Sequence, residues 1–130
     1  MSDAFARNGD DRRDPAVVLR ESIGFLALVA TRRLYDEQPD LWRLGENGRA
    51  RTHEDFTHHL TALADLSGDT FRHHVDYCER LFAQRGFPAA WLADAWRILD
   101  TVLDEELPGS VSEPARRLLH AVTSRPPAEA

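Results

Sequence analysis

Residues 88–107, PAAWLADAWRILDTVLDEEL, decide the fold. Apolar residues recur through this stretch at helical spacing and form two adjacent lines along one helix. The two lines are Trp91, Ala95, Ile98 and Val102, and Leu92, Trp96, Leu99 and Leu103. An apolar arc of this width is typical of a helix that is covered on more than one side. The sequence therefore predicts a core helix that begins at Pro88 and ends before Pro108-Gly109.

Four further helices are predicted from apolar stripes bounded by caps and helix breakers. They run from Asp14-Pro15 to about Glu37, from Thr52 to Ser67-Gly68, from Asp69 or Thr70 to Gly86, and over a short stretch from Ser112. In the first of them the predicted stripe is Val18, Ser22, Phe25 and Val29. Residues 41–51 contain Gly45, Asn47 and Gly48 and are predicted to be a loop with a turn.

No stretch alternates with the period of two that a strand requires, so the expected fold class is all-α. The expected domain covers residues 15–124. Residues 1–14 are polar and aperiodic and are predicted to be a flexible arm, and residues 125–130 a disordered tail.

The composition excludes several classes of protein. At 130 residues the chain is long enough for one globular domain and too short for two. Its 22 acidic residues outnumber 16 basic ones, all of them arginine, whereas a nucleic-acid binder needs clustered cations. Neither a membrane span of about 18 apolar residues nor the apolar run of a signal peptide is present. We therefore expect a cytoplasmic protein that binds neither nucleic acid nor a membrane.

The histidines are the unusual part of the composition. At about 100° per residue, His53 and His59 fall within or beside the apolar face of the second helix, and His74 falls at the border of the third. Their neighbours His58 and His73 point to solvent. Three converging imidazoles could line one pocket and hold a metal, a haem iron or a polar ligand. The alternative is that they lie at the rim of the core and hydrogen-bond to backbone or solvent.

No residue set supplies an acid, a base and a nucleophile in one place, so we do not expect an enzyme. Cys78 lies on an apolar stripe without a neighbouring cation that would lower its pKa, and it is predicted to be an inert core thiol. As the only cysteine it excludes an internal disulfide. No zinc-protease or di-metal motif is present, and no metal site is predicted.

Several short motifs resemble the phycobiliproteins, and among them the compact bilin biosynthesis-associated globins, the allophycocyanin relatives of non-photosynthetic bacteria. Asp55-Phe56 resembles the Asp-Tyr of that family, and Gly68-Asp69 resembles the Gly-Asp that ends the same helix. Gly86-Phe87-Pro88 is similar to the Gly-Val-Pro step that follows. The resemblance covers about residues 18–123. It implies a globin-like core without the two N-terminal helices that phycobiliproteins add.

The resemblance also implies a tetrapyrrole ligand, with one departure. The cysteine that attaches the bilin in that family corresponds to Ala50, and the Arg-Asp pair that contacts the bilin corresponds to Thr52 and His53. Cys78 lies on a different helix. A thioether-linked bilin at the family position is therefore excluded, and the implied ligand is a non-covalent bilin.

The residues that the resemblance and the helix geometry offer to such a ligand are Arg51, His53, Phe56, His59 and His74. Arg51 is available for a propionate, and His53 or His59 for ring nitrogens. A haem would need an axial histidine, for which His74 is the candidate. Its position early in the third helix argues against haem.

Two functional hypotheses follow. The first is a non-enzymatic globin that carries or senses a bilin. The second is a ligand-free globin module that forms a homodimer or docks on a partner protein through the wide apolar arc around Trp91 and Trp96.

Overall fold

The computed structural model describes residues 13–124, and every regular element among them is helical. Six α-helices and one 3-10 helix follow in chain order: α1 Pro15–Glu21, α2 Ile23–Glu37, the 3-10 helix Pro39–Leu44, α3 Gly45–Ala64, α4 Gly68–Arg85, α5 Ala89–Glu106 and α6 Gly109–Thr123. The predicted all-α class is confirmed. Of the predicted arm only residues 13 and 14 are described, and the predicted tail lies outside the described residues.

The helix predicted from residues 88–107 packs against three other helices. This helix, α5, packs against α2, α4 and α6, while α2 packs in turn on α3. Both predicted lines of its apolar arc contribute to one continuous core, through Leu92, Trp96, Ile98, Leu99, Val102 and Leu103. Trp91 departs from the pattern, because 47% of its surface is exposed.

The first predicted helix is two helices that meet at Ser22, whose hydroxyl donates to the carbonyl of Val18. The predicted stripe is also wrong at Phe25, which is 56% exposed. The buried face of α2 contains Leu26, Ala27, Ala30, Thr31 and Tyr35 instead. Small residues on this face allow neighbouring helices to approach closely, and a search for large apolar residues does not detect such a face.

The predicted loop over residues 41–51 is wrong, because α3 begins at Gly45. Gly45 turns the chain out of the 3-10 helix at φ 73°, a conformation that favours glycine. Gly48 lies inside α3, where a Cβ would overlap the side chain of Leu44. Thr52, predicted as an N-cap, is also inside the helix and donates its hydroxyl to the carbonyl of Gly48. Gly45 therefore serves a turn, and Gly48 a close approach inside the helix.

Two more helix ends differ from prediction by a few residues. The N-cap of α4 is Ser67, whose Oγ accepts from the amide of Thr70. α6 begins at Gly109, so that Ser112 is inside the helix and buried. The predicted end at Gly86 is confirmed, since this residue caps α4 at φ 71°. No helix within residues 13–124 combines the length and the apolar character needed to cross a bilayer.

Candidate functional site

A cavity of about 540 Å³ opens between α3, α4 and the first half of α5, with the 3-10 helix at its edge. This volume lies within the range of roughly 300–1,000 Å³ that is typical of small-molecule sites. The walls are mostly apolar, and they include Leu34, Leu41, Leu44, Phe56, Leu81, Phe82 and Leu92. We call this space the α3–α4–α5 cavity.

Charged and aromatic residues surround the mouth of the cavity. Arg51 on α3 and Arg85 at the end of α4 are exposed there. Partial desolvation raises the pKa of the nearby Asp55 carboxyl, and Arg51 opposes this rise. Tyr77 and Trp91 also line the cavity, with 54% and 47% of their surfaces exposed. A ligand entering the mouth would thus find two guanidinium groups and two aromatic rings, together with the carboxylates of Glu54, Asp55 and Asp94.

The deepest polar part of the cavity is formed by His59 on α3 and by His74 and Cys78 on α4, which we call the His–His–Cys cluster. His59 Nδ1 lies 2.8 Å from His74 Nε2, which is a hydrogen bond between two imidazoles. Cys78 Sγ lies 3.4 Å from the same His74 Nε2. Because His74 and Cys78 are four residues apart on one helix, both side chains face α3.

Aromatic side chains fix the two imidazoles in place. The ring centroid of His59 lies 4.6 Å from that of Trp96 and 6.0 Å from that of Phe56. The His74 ring stacks on Phe71 with centroids 6.3 Å apart. The cluster is thus held in one arrangement by packing against the core.

Burial keeps all three groups of the cluster uncharged at neutral pH. Desolvation, together with the smaller effects of the neighbouring His74 and His58, lowers the pKa of His59 to about 3. Desolvation also lowers the pKa of His74, and it raises the pKa of the Cys78 thiol to about 11. Two neutral imidazoles in contact must have one donor and one acceptor, so a single proton lies between His59 Nδ1 and His74 Nε2.

The structure brings four of the five predicted binding residues to this cavity: Arg51, Phe56, His59 and His74. His53 is half-buried on α3 and is not among the residues that line it. His58 and His73 are exposed, as predicted. The expected group of three histidines is therefore a group of two histidines and one cysteine.

Two contributors to the site were missed from the sequence. Cys78 was interpreted only as a core thiol, although its spacing of four residues from His74 places both on one helix face. Arg85 was not singled out, and its approach to the cavity depends on how α4 packs against α3. The first contributor had a signal in the sequence; the second had none.

The cavity offers apolar walls, two cations at its mouth and nitrogen and sulfur donors inside. At pH 7 the protonated thiol supplies no thiolate nucleophile. Comparisons with protein-family models, with curated proteins and with solved structures found no match. The interpretation of function therefore depends on the chemistry of the cavity.

Proposed function

We propose that this protein binds a bilin, a linear tetrapyrrole, non-covalently in the α3–α4–α5 cavity, and that it acts as a non-enzymatic carrier or sensor of that ligand. The observation that carries this proposal is the cavity itself, with apolar walls and guanidinium groups at its mouth. A bilin is an extended apolar molecule with two propionate groups, so both features have a partner on it.

The charged mouth suits the propionates. Arginine forms bidentate, charge-assisted hydrogen bonds with carboxylates, and Arg51 and Arg85 stand on two different helices at the opening. The side chains of Tyr77 and Trp91 leave aromatic surface exposed beside them. A planar conjugated ligand would cover that surface.

Non-covalent binding agrees with the state of the single cysteine. Cys78 is buried on α4, and burial raises the pKa of its thiol to about 11. A protonated, buried thiol is a poor nucleophile toward the vinyl group of a bilin. Retention then depends on the fit of the ligand and on its charged groups.

A globin-like core is part of this proposal. Globins pack their helices pairwise around one ligand pocket. Here α1 packs on α3 and α6, α2 on α3 and α5, and the cavity lies between the consecutive helices α3 and α4. This arrangement supports the fold that the resemblance implies.

The test is a titration of chelator-treated protein with biliverdin, a reduced bilin and haemin, followed by visible absorption and by co-elution on gel filtration. We expect a saturable spectral change with a bilin and a weaker one, or none, with haemin. Arg51→Gln and Arg85→Gln should each raise the Kd by roughly two- to fivefold, the loss of one exposed charged contact. Arg72→Gln, an exposed arginine on α4 away from the cavity, is the matched control. The absence of binding by any of the three tetrapyrroles refutes the proposal.

A second candidate function, dimerisation or docking on a partner, is favoured by the exposed aromatic residues at the mouth. Phe87 and Trp91 have ring centroids 5.3 Å apart, and both are substantially exposed. Trp96, the other expected anchor, is buried and packs on His59, so it does not reach a partner surface. Light scattering should then detect a dimer that Trp91→Glu disrupts, and a monomer at every concentration rules out the homodimer.

A further inference from the structure

The His–His–Cys cluster offers a chemistry beyond the apolar walls and the arginines on which the bilin proposal depends. Each of its three residues offers one ligand atom, and these atoms all lie within 4.8 Å of one another. They are two imidazole nitrogens and one sulfur, the donors that borderline-soft divalent metals prefer. The cluster lines the cavity, so an ion and its water can reach it from solvent.

We propose that His59, His74 and Cys78 form a mononuclear zinc site, with His59 Nδ1, His74 Nε2 and Cys78 Sγ as three ligands and the fourth position open toward the α3–α4–α5 cavity. Three protein ligands with one open position are the arrangement in which a zinc ion takes a water or another small ligand. The proposal stands independently of the bilin proposal.

Two of the three ligand separations fit a tetrahedral ion with a small adjustment, and the third, between His59 and Cys78, is within 4.8 Å. Zn–N bonds of about 2.0–2.1 Å and a Zn–S bond of about 2.3 Å put tetrahedral ligand atoms roughly 3.3–3.6 Å apart. The present separation of 3.4 Å between Cys78 Sγ and His74 Nε2 already matches. The 2.8 Å between the two imidazole nitrogens must lengthen by about half an ångström, which a small rotation of either ring provides.

Zinc binding requires that two protons change their positions. The proton shared between His59 Nδ1 and His74 Nε2 belongs to one imidazole, and that imidazole shifts it to its other ring nitrogen, so that both facing nitrogens have free lone pairs. The Cys78 thiol releases its proton to solvent as the Zn–S bond forms, because coordination deprotonates a thiol outright. Binding therefore forms two Zn–N bonds and one Zn–S bond, displaces waters from the hydrated ion and releases one proton.

The surroundings of the cluster support a metal rather than only a structural contact. Packing on Trp96 and Phe71 fixes both rings, so that little side-chain freedom is lost on binding. Asp55 and Glu79 lie close enough to act electrostatically on Cys78, and they offset the positive charge of the occupied site.

The test is a titration of chelator-treated protein with Zn²⁺ by calorimetry and with Co²⁺ by absorption spectroscopy. We expect one ion per chain, no binding of Mg²⁺ or Ca²⁺, and with Co²⁺ the visible bands of a tetrahedral site together with a thiolate-to-metal charge-transfer band. Cys78→Ser should abolish the charge-transfer band, and His74→Gln should weaken Zn²⁺ binding by roughly a hundredfold or more.

The chain offers a matched control in His73, which is exposed on α4 beside His74 and does not line the cavity. His73→Gln should leave the Zn²⁺ affinity within about twofold of wild type. Circular dichroism of each variant shows whether it folds, and Cys78→Ser is the mildest change for a buried site. The proposal is overturned if the wild-type chain binds no stoichiometric Zn²⁺. It is equally overturned if Cys78→Ser and His74→Gln, once folded, bind as tightly as wild type, because the ion is then held by exposed histidines.

Failure of this proposal is distinguishable from failure of the proposed function. The bilin titration uses chelator-treated protein, and the Zn²⁺ titration contains no tetrapyrrole. Each result therefore reports on one ligand alone.

Discussion

Truncation of Trp96 should remove a large part of the stability of this domain. Only 8% of its surface is exposed, and its ring packs on His59 and on Phe71, with centroids 4.6 and 5.8 Å away. A buried aromatic removes about 150–250 Å² from water, which at about 25 cal/mol/Å² corresponds to roughly 4–6 kcal/mol. Measured truncations of buried aromatics cost about 3–5 kcal/mol. We therefore expect Trp96→Ala to lower the free energy of unfolding by about 3–5 kcal/mol.

Trp91 on the same helix provides the matched control. It is 47% exposed and contacts Phe87 at the surface, so that water fills the space its ring leaves. Because it buries a little over half as much area and leaves no sealed void, Trp91→Ala should cost about 2 kcal/mol. The difference between the two variants, rather than either value alone, tests the packing of α5.

The assay is urea unfolding followed by far-ultraviolet circular dichroism, because the substitutions remove fluorophores. If Trp96→Ala does not fold, Trp96→Phe and Trp91→Phe form a milder pair with the same expected order. Equal losses for Trp96 and Trp91, or a greater loss for Trp91, would refute the assignment of Trp96 to the core and of Trp91 to the mouth of the cavity.

Three further predictions concern helix ends and acid stability, all measured by urea unfolding. Gly86→Ala should destabilise by about 1 kcal/mol, because the residue caps α4 at φ 71°; an unchanged midpoint would contradict this. Gly24→Ala should stabilise slightly, by about 0.5 kcal/mol, since a Cβ there meets no atom within 4 Å in a helix; a loss would count against it. Asp100 accepts two hydrogen bonds from Arg116, which lower its pKa, and it lies beside His120. Its contribution is therefore present above the pKa of an unfolded aspartate, about 3.9, and is lost as the pH falls through the lower folded pKa. Wild type should exceed Asp100→Asn in stability at pH 7 and approach it in acid, and a constant difference across that range would show that Asp100 is not the cause.

Helix α5 could be predicted from the sequence because its large apolar residues recur at helical spacing. In α5 the two lines that contain Leu92 and Ile98 fill space on more than one side, and the period of the pattern gives the direction of each side chain. Gly86 likewise marked the end of α4, since a left-handed residue at a helix end is a local requirement. Such features depend only on neighbours in the chain.

The errors occurred where distant or steric contacts decide the structure. Gly48 has the residue type of a turn, yet it lies inside α3, where the position requires glycine because the side chain of Leu44 occupies the space beside it. The buried face of α2 contains Ala27 and Ala30, whose importance comes from the helices that approach them. Propensity assigns glycine to loops and gives alanine little weight in a core, and tertiary packing overrides both.

The sequence predicted that part of the candidate site which the periodicity of a single helix can give, namely the direction of each side chain around it. His53 and His59 are six residues apart, and they therefore lie about 120° apart around α3, on opposite flanks of its apolar face. Only the packing of α4 decides which flank faces the cavity, and it selects the flank of His59. The contact of His59 with His74 joins two helices, and no periodicity within either helix contains that information.

The burial of the polar His–His–Cys cluster among aromatic side chains has an energetic meaning. Neutral imidazoles and a thiol that are buried together must replace the hydrogen bonds they made with water, and the net gain from doing so is small. Apolar side chains of the same shape would stabilise this position at least as well, because the walls around it are Phe56, Phe71 and Trp96. Stability alone therefore does not account for two histidines and the single cysteine of the chain within 4.8 Å of one another. Binding of an ion or a polar ligand requires donor atoms that converge at the inner end of an accessible cavity. The free energy of binding then offsets the cost of burying these donor atoms.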